Sequence, residues 1–333
     1  YRDRRQRQMC IRDRKDIDKT VTLSGWVNKR RDHGGIIFVD LRDHTGIVQI
    51  VFNPDNKDIL KDAEILRAEF VRSVTGTITA RSEDTINKDI SSGKIEVVAD
   101  HLTILNNSET PPFMINDHNV SEDLKLQYRY IDLRSRKLQN NLKFRSDLLK
   151  VIRDYFHENE FIDVETPILT KTTPEGARDY LVPSRLKKES FFALPQSPQI
   201  FKQTLMIGGI EKYYQIARCF RDEDLRSDRQ PEFTQLDVEL AFATEEKIID
   251  LTEKLFHKIF KDIFSVNNVV FNKMTYEDAM DNYGCDKPDL RIPLNLVDIS
   301  NSVKDEEFKV FSEPAKKKNC RVVALKVPNG NSL

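Results

Sequence analysis

The stretch from Ala193 to Leu240 constrains this chain more than any other, because it places two alternating segments on either side of a polar loop. From Tyr214 to Arg221, an extended backbone puts Tyr214, Ile216, Arg218 and Phe220 on one face. Gln215, Ala217, Cys219 and Arg221 fall on the other, with Glu223 continuing that second set. From Phe233 to Leu240, Thr234, Leu236, Val238 and Leu240 make an apolar face suited to a core, while Phe233, Gln235, Asp237 and Glu239 share the opposite face. The pattern predicts two strands, and antiparallel pairing gathers Arg221, Glu223, Phe233, Gln235 and Asp237 on one surface. A single Arg, several carboxylates and one aromatic ring are too mixed for an ordinary solvated face. They suit a ligand that carries phosphate, an ammonium group and a flat base.

The rest of the chain supplies the context for that surface. With 333 residues there is room for two or more domains, each with its own core. Lys and Arg number 53 against 54 Asp and Glu, a net charge of -1, so any nucleic-acid surface must be a local patch. Cys10, Cys219, Cys285 and Cys320 are far apart and the six His are scattered, without zinc or dithiol spacing, which reads as free thiols in a reducing compartment. No apolar run reaches the length of a membrane span and the start lacks a signal-peptide core, so the expectation is a soluble, cytoplasmic protein with no membrane partner. Residues 1–14 carry six Arg and two Asp with almost no apolar pattern; they read as a tail outside the fold, either a basic arm or an expression scar.

From Val21 the pattern is that of strands: Val21 to Lys29, Ile36 to Arg42, Ile47 to Phe52, Val71 to Ala80 and Ile95 to Leu105, with a helical stretch from Ile59 to Phe70. Five strands and one inserted helix predict an OB-fold barrel over residues 15–110. Phe38 shares its face with Asp40 and Arg42, which leaves two readings: a filler at the barrel rim, or a platform on which an unpaired base stacks while Lys29, Arg30 and Arg31 hold phosphates. Pro111-Pro112 opens a hinge over 111–137. Ser121 is placed to cap the helical run that follows, and Leu148, Leu149, Ile152, Tyr155 and Phe156 fall on one helical face, fit for a core or a dimer contact. Thr172 to Tyr180 reads as a mobile loop, and Lys202 sits on a helix after Pro198. Further helices are predicted at Leu251 to Phe264 and Met274 to Asn282.

Phe220-Arg221-Asp222-Glu223, the loop through Arg229-Gln230-Pro231, and Glu232-Phe233 resemble the second signature motif of class II aminoacyl-tRNA synthetases. Thr173-Pro174-Glu175-Gly176-Ala177-Arg178-Asp179-Tyr180, Gln196-Ser197-Pro198-Gln199 before Lys202, and Lys287-Pro288-Asp289-Leu290-Arg291 narrow the resemblance to the bacterial type of aspartyl-tRNA synthetase. It implies a multi-domain protein: the OB-fold, an α+β catalytic domain with an antiparallel sheet over 138–291, and the start of an α+β insertion domain over 292–333. It also implies ATP-dependent attachment of L-aspartate to tRNA-Asp through an aspartyl-adenylate. Arg221 and Glu223 would be the catalytic groups. Arg221, Asp222, Glu223, Gln230 and Phe233 would hold ATP, and Glu175, Ser197, Gln199, Lys202, Arg221 and Asp237 would form the aspartate pocket. Arg31, Phe38 and Gln49 match the family's anticodon-reading positions, and the segment from Phe161 to Pro167 resembles the first motif, which builds a homodimer interface. His33, beside that strand, resembles the subgroup that also charges tRNA-Asn.

The resemblance implies Mg2+ as well, but no ligand set for it is assigned. The family's Gly-rich third motif and acidic metal-holding residues do not occur before Leu333, so the expectation is that these 333 residues bind tRNA without charging it. Neither a P-loop nor a dinucleotide fingerprint is present. Lysine- and asparagine-specific relatives share the layout and are disfavoured by Lys202 with the ARDY and KPDLR strings; a non-catalytic tRNA-binding fragment is the alternative from another class.

Overall fold

The computed structural model describes residues 16–115, 117, 119–292, 294–328 and 330, so the tail 1–14 lies outside the described residues. The chain divides into two compact units, Tyr1–Arg145 and Ser146–Leu333, each with its own apolar cluster.

In the first unit, alternation of aliphatic and polar residues drives five strands to curl around one interior. β1 (Thr20–His33), β2 (Ile36–Arg42), β3 (Ile47–Phe52), β4 (Val71–Ala80) and β5 (Ile95–Asn106) close in the order β1-β2-β3-β5-β4. β3 and β5 are parallel and the other pairs antiparallel. β1 outruns the predicted Val21 to Lys29. Its first half pairs with β4, and after an irregularity between Val27 and Lys29 it continues to His33 against β2, which lets one strand close the barrel. Leu23, Val27, Val39, Leu41, Ile50 and Val97 are buried in the interior, where a full aliphatic side chain contributes about 1.5–3 kcal/mol. α1 (Lys57–Glu64) is shorter than the predicted Ile59 to Phe70. Glu69 takes a left-handed backbone (φ 67°), donates its N–H to Val27 O at 2.7 Å and accepts two hydrogen bonds from Arg42 Nη2 at 2.9 and 2.8 Å, so the chain turns back to the barrel instead of continuing the helix. α2 (Glu122–Gln127), capped by the Ser121 hydroxyl as expected, and α3 (Arg129–Asp132) follow.

α4 (Arg136–Glu158) leads into the second unit. There, β6 (Ile162–Asp163), the hairpin β7 (Leu181–Pro183) with β8 (Phe191–Ala193), and α5 (Gln199–Ile207) precede β9 (Lys212–Phe220) and β10 (Glu232–Leu240). β9 and β10 pair antiparallel in the register that puts Phe233 opposite Cys219, Gln235 opposite Ala217 and Asp237 opposite Gln215. The sheet is mixed rather than purely antiparallel: β6 joins β9 in parallel, and the long connection through the hairpin and α5 lets the chain return in the same direction. One sheet face, with Tyr214, Ile216, Leu236, Val238 and Leu240, packs on Ile152, Tyr155 and Phe156 of α4 and on Leu251, Leu255 and Ile259 of α6 (Glu245–Phe264). Phe156 stacks on Tyr214 at 4.7 Å, and Tyr155 donates its hydroxyl proton to Leu251 O at 2.7 Å. Leu148, Ile152, Tyr155 and Phe156 of the predicted α4 face are therefore core. α7 (Tyr276–Tyr283), β11 (Leu296–Asp298), α8 (Ser300–Val303), α9 (Lys309–Ala315) and β12 (Val323–Leu325) complete the described chain.

Candidate active site

With one sheet face committed to the core, the other presents Gln215, Ala217, Cys219, Phe233, Gln235, Asp237 and Glu239. The Arg221 guanidinium carbon lies 5.0 Å from the centroid of the Phe233 ring, and the Arg221 N–H donates to Pro231 O at 2.8 Å, which fixes the start of the loop. Arg221, Glu223, Arg229, Gln230 and Phe233 line a cleft of about 350 Å³, and Glu223 pairs with Arg229 at 3.6 Å. The expected nucleotide residues thus converge, with the exception of Asp222. Its N–H donates to Arg178 O at 3.0 Å and its carboxylate lies 3.8 Å from Arg178 Nε, so it ties down the 172–180 loop.

That loop is held at several points, which its composition did not reveal. Gln196 is almost fully buried; its amide donates to Ala177 O at 2.8 Å and to Asp179 Oδ1, and accepts from the Ala177 N–H at 3.1 Å. Ser197 donates to both Glu175 oxygens at 3.1 and 3.2 Å. Glu175 is thereby held near the sheet, and Gln199 opens the first turn of α5. One turn on, Lys202 Nζ lies 2.8 Å from Asp237 Oδ1 and 3.2 Å from Glu239 Oε2. Burial pulls the Lys202 ammonium down, but the hydrogen bonds and charges of Asp237 and Glu239 outweigh it and hold the group above its ordinary value. Asp237 is 4 % exposed, and its second oxygen is buried with no hydrogen-bond partner among the described residues. Burial pushes the neighbouring Cys219 thiol up to about 11, against the pull of Arg221, so this sulfur is an inert packing group. Glu239, Gln196, Gln215 and Tyr213 were not among the sequence candidates. The pairing register sets Gln215 beside Asp237 and Tyr213 beside Glu239, a juxtaposition that neither strand shows by itself.

On the barrel, Arg31 and Phe38 are cross-strand partners, as are Asp40 and Gln49. Arg31 Nη2 donates to Asp40 Oδ1 at 2.6 Å and to Gln49 Oε1 at 3.1 Å, and Gln49 Nε2 donates to Glu96 Oε2 at 2.9 Å. His33 meets Phe38 edge-on at 5.9 Å. Burial raises the Asp40 carboxyl, although Arg31, Arg81 and Lys29 pull it down. Arg30 Nε, Arg31 Nε and two Arg81 nitrogens are buried without a hydrogen-bond partner among the described residues, although Arg81 Nε lies 3.6 Å from Glu96 Oε2. The three candidate residues therefore share one face, where Arg31 and the buried Gln49 are held by hydrogen bonds to one another and to Asp40 and Glu96.

Residues 121–323 match the model for tRNA synthetases class II (D, K and N), and residues 21–105 match that for the OB-fold nucleic acid binding domain. The chain belongs to the class II tRNA synthetases of this group. Over 319 residues it is 55 % identical to proteins of Legionella pneumophila strains Corby and Paris, each named Aspartate--tRNA(Asp/Asn) ligase, covering 95 % of this chain and 54 % of each relative. The chain thus spans about half the length of these curated relatives. Among solved structures it is similar to asparaginyl-tRNA synthetase from Pyrococcus horikoshii complexed with asparaginyl-adenylate, at 26 % identity and a TM-score of 0.68, over 77 % of this chain and 58 % of that one. A putative aspartyl-tRNA synthetase from Leishmania major Friedlin shares the fold at 22 % identity and a TM-score of 0.67, over 76 % of this chain and 51 % of that one. Among the described residues no helix is long and apolar enough to cross a membrane.

Proposed function

We propose that this protein activates L-aspartate with ATP and transfers the aspartyl group to tRNA-Asp. The observation that carries the reading is the Lys202, Asp237 and Glu239 cluster, with one buried Asp237 oxygen left without a donor. A buried, unpaired carboxylate oxygen is costly, and the ammonium group of an amino acid supplies the missing donor. Lys202 supplies the cation for the substrate's side-chain carboxylate, and Glu175, held by Ser197, adds a second acceptor for the ammonium. The substrate's α-carboxylate then attacks the α-phosphorus of ATP in line, which forms aspartyl-adenylate and releases pyrophosphate. Little proton transfer is required, so positioning and charge neutralisation dominate. Arg221, whose planar fork can meet the carboxylate and the α-phosphate together, serves both, and Phe233 stacks on adenine beside Gln230 and Glu223. Mg2+ is proposed to neutralise the departing pyrophosphate. Among the described residues no group of three or more His, Cys, Asp or Glu side chains is set to hold a metal, so no residue is assigned to it.

The 2′- or 3′-hydroxyl at the end of tRNA then attacks the acyl carbon and AMP leaves. Anticodon reading is assigned to Arg31, Phe38 and Gln49, with charging of tRNA-Asn as an added proposal, supported by the Asp/Asn names of the relatives and by His33 against Phe38. Homodimerisation is proposed through the segment around Pro167, where Ile162, Ile168 and Leu169 expose apolar surface. A cytoplasmic setting is proposed with it, in keeping with the free thiols of Cys219, Cys285 and Cys320. The test is aspartate-dependent pyrophosphate exchange by the longest form of the protein its gene encodes, followed by charging of purified tRNA-Asp and tRNA-Asn. Exchange with asparagine in place of aspartate would overturn the amino-acid assignment, and negligible charging of tRNA-Asn beside tRNA-Asp would overturn the wider specificity. Because the barrel closes within residues 20–106, tRNA binding by the 333-residue chain is expected whether or not that chain supports exchange.

A further inference from the structure

Beneath the Lys202 cluster lies a second polar group that the proposed reaction does not use. Gln215 pairs with Asp237 across the β9–β10 ladder and Tyr213 pairs with Glu239, so the two carboxylates that hold Lys202 each stand beside a neutral polar side chain. Tyr213 is fully buried and Gln215 is 8 % exposed. Aliphatic or phenyl groups would fill such positions without the desolvation cost of a hydroxyl and an amide, so the polar choice requires a reason. Gln215 Oε1 accepts from the Tyr213 hydroxyl at 2.9 Å and from Thr166 Oγ1 at 3.0 Å. Two donors satisfy that oxygen and fix the plane of the amide. The Tyr213 hydroxyl is held protonated by burial and then by the charge and hydrogen-bonding proximity of Asp237, so it remains a donor; its formed hydrogen bond goes to Gln215 Oε1 at 2.9 Å, which leaves the second Asp237 oxygen open.

We infer that Tyr213 and Gln215, anchored by Thr166, are positioning residues that keep the Asp237 and Glu239 carboxylates committed to Lys202 and to the incoming amino acid, and so set the affinity for L-aspartate. The inference rests on the aspartate reading above. With Oε1 doubly engaged, the amide of Gln215 cannot turn over, and the second oxygen of Asp237 keeps no protein donor. Removing the Tyr213 hydroxyl frees the amide to rotate and to offer its N–H to Asp237. That would fill the acceptor reserved for the substrate's ammonium and loosen the hold on Lys202. The damage falls on aspartate and not on ATP, because Arg221, Phe233 and the cleft that they line are supported by other contacts, Arg221 N–H to Pro231 O among them.

The experiment is steady-state pyrophosphate exchange with the parent, Tyr213→Phe and Thr166→Val, made in the longest form the gene encodes. Tyr213→Phe is expected to raise KM for L-aspartate about tenfold while kcat and KM for ATP stay within about twofold, and Thr166→Val is expected to move KM for aspartate in the same direction by less. Thr166 stands at the outer end of the group and keeps the test usable should Tyr213→Phe fail to fold. Unchanged KM for aspartate in the variants, or equal losses for aspartate and ATP, overturns the positioning role. A parent with no aspartate-dependent exchange overturns the functional reading itself, and the inference with it.

Discussion

Lys202 is a cation shared by two carboxylates, and that sharing makes its removal informative. Its side chain is 12 % exposed and that of Asp237 4 % exposed, so Lys202→Met would leave a buried carboxylate without its counter-charge. Breaking such a pair from one side costs about 3–5 kcal/mol, and a substrate carboxylate would meet the same missing charge. Aspartate activation is therefore expected to fall by at least about 100-fold, with ATP binding measured separately changing far less. Retained aspartate specificity would mean that the side chain is read elsewhere. The pair also fixes a pH window. Because Lys202 is held above its ordinary 10.5 in the folded protein, the stability it contributes is fully present below that pH and is lost as pH rises through the raised value. Denaturant titrations should show a gap between wild type and Lys202→Met that holds from neutral pH to about 10.5 and narrows only beyond it. In the sequence, the role proposed for Lys202 came only from the family resemblance, since a helical Lys by itself marks nothing. Asp237 was placed on the right face by alternation alone. Gln215 was placed there too, but its importance depends on which residue stands opposite, and register is not visible in a single strand. Tyr213 lay one residue outside the segment read as a strand.

At the scale of elements, the strands and the core face of α4 were legible because a period of two or of 3.6 survives in any context, whereas chain reversals depend on single contacts. α1 ends early because Glu69 bonds to the barrel, a contact between residues far apart in sequence. β6 spans only Ile162–Asp163, too short to show a period, and its parallel pairing made the sheet mixed. The 172–180 loop looked mobile by composition, yet Gln196 and Asp222 fasten it. Barrel closure also turns on a close approach. Gly76 follows the irregularity in the β4–β5 ladder, and a Cβ there would lie 2.1 Å from Val98 O. The obstacle is backbone, so no side-chain rotation relieves it. Gly76→Ala is expected to destabilise the barrel by about 3 kcal/mol, read from Trp26 fluorescence in a denaturant titration. An unchanged midpoint would show that the ladder can shift to make room.

For the whole molecule, the consequence of two separate cores is that each can be damaged by itself. Trp26, the one tryptophan in the sequence, lies in β1, so its fluorescence reports the first unit, while the helical signal is weighted towards α4 and α6. Phe156 is buried in the second cluster, in contact with Phe161 at 5.0 Å and with Tyr214 at 4.7 Å. Phe156→Ala is expected to cost about 3–5 kcal/mol there, and the helical transition should move to lower temperature while the Trp26 transition stays in place. Leu41→Ala, in the barrel interior, is expected to do the reverse at a cost of about 2–5 kcal/mol. Movement of both probes together in both variants would show a single cooperative unit. The same pair of variants separates the two proposed activities. At a temperature between the two transitions, the Phe156→Ala protein should keep salt-dependent tRNA binding, which draws on the face that Lys29 and Arg31 share with Asp40 and Phe38 in a barrel still folded. Aspartate-dependent exchange, measured with the same substitution in the longest form the gene encodes, should be lost once the second unit has melted, because the sheet that carries Arg221 and Asp237 packs on the core that Phe156 fills.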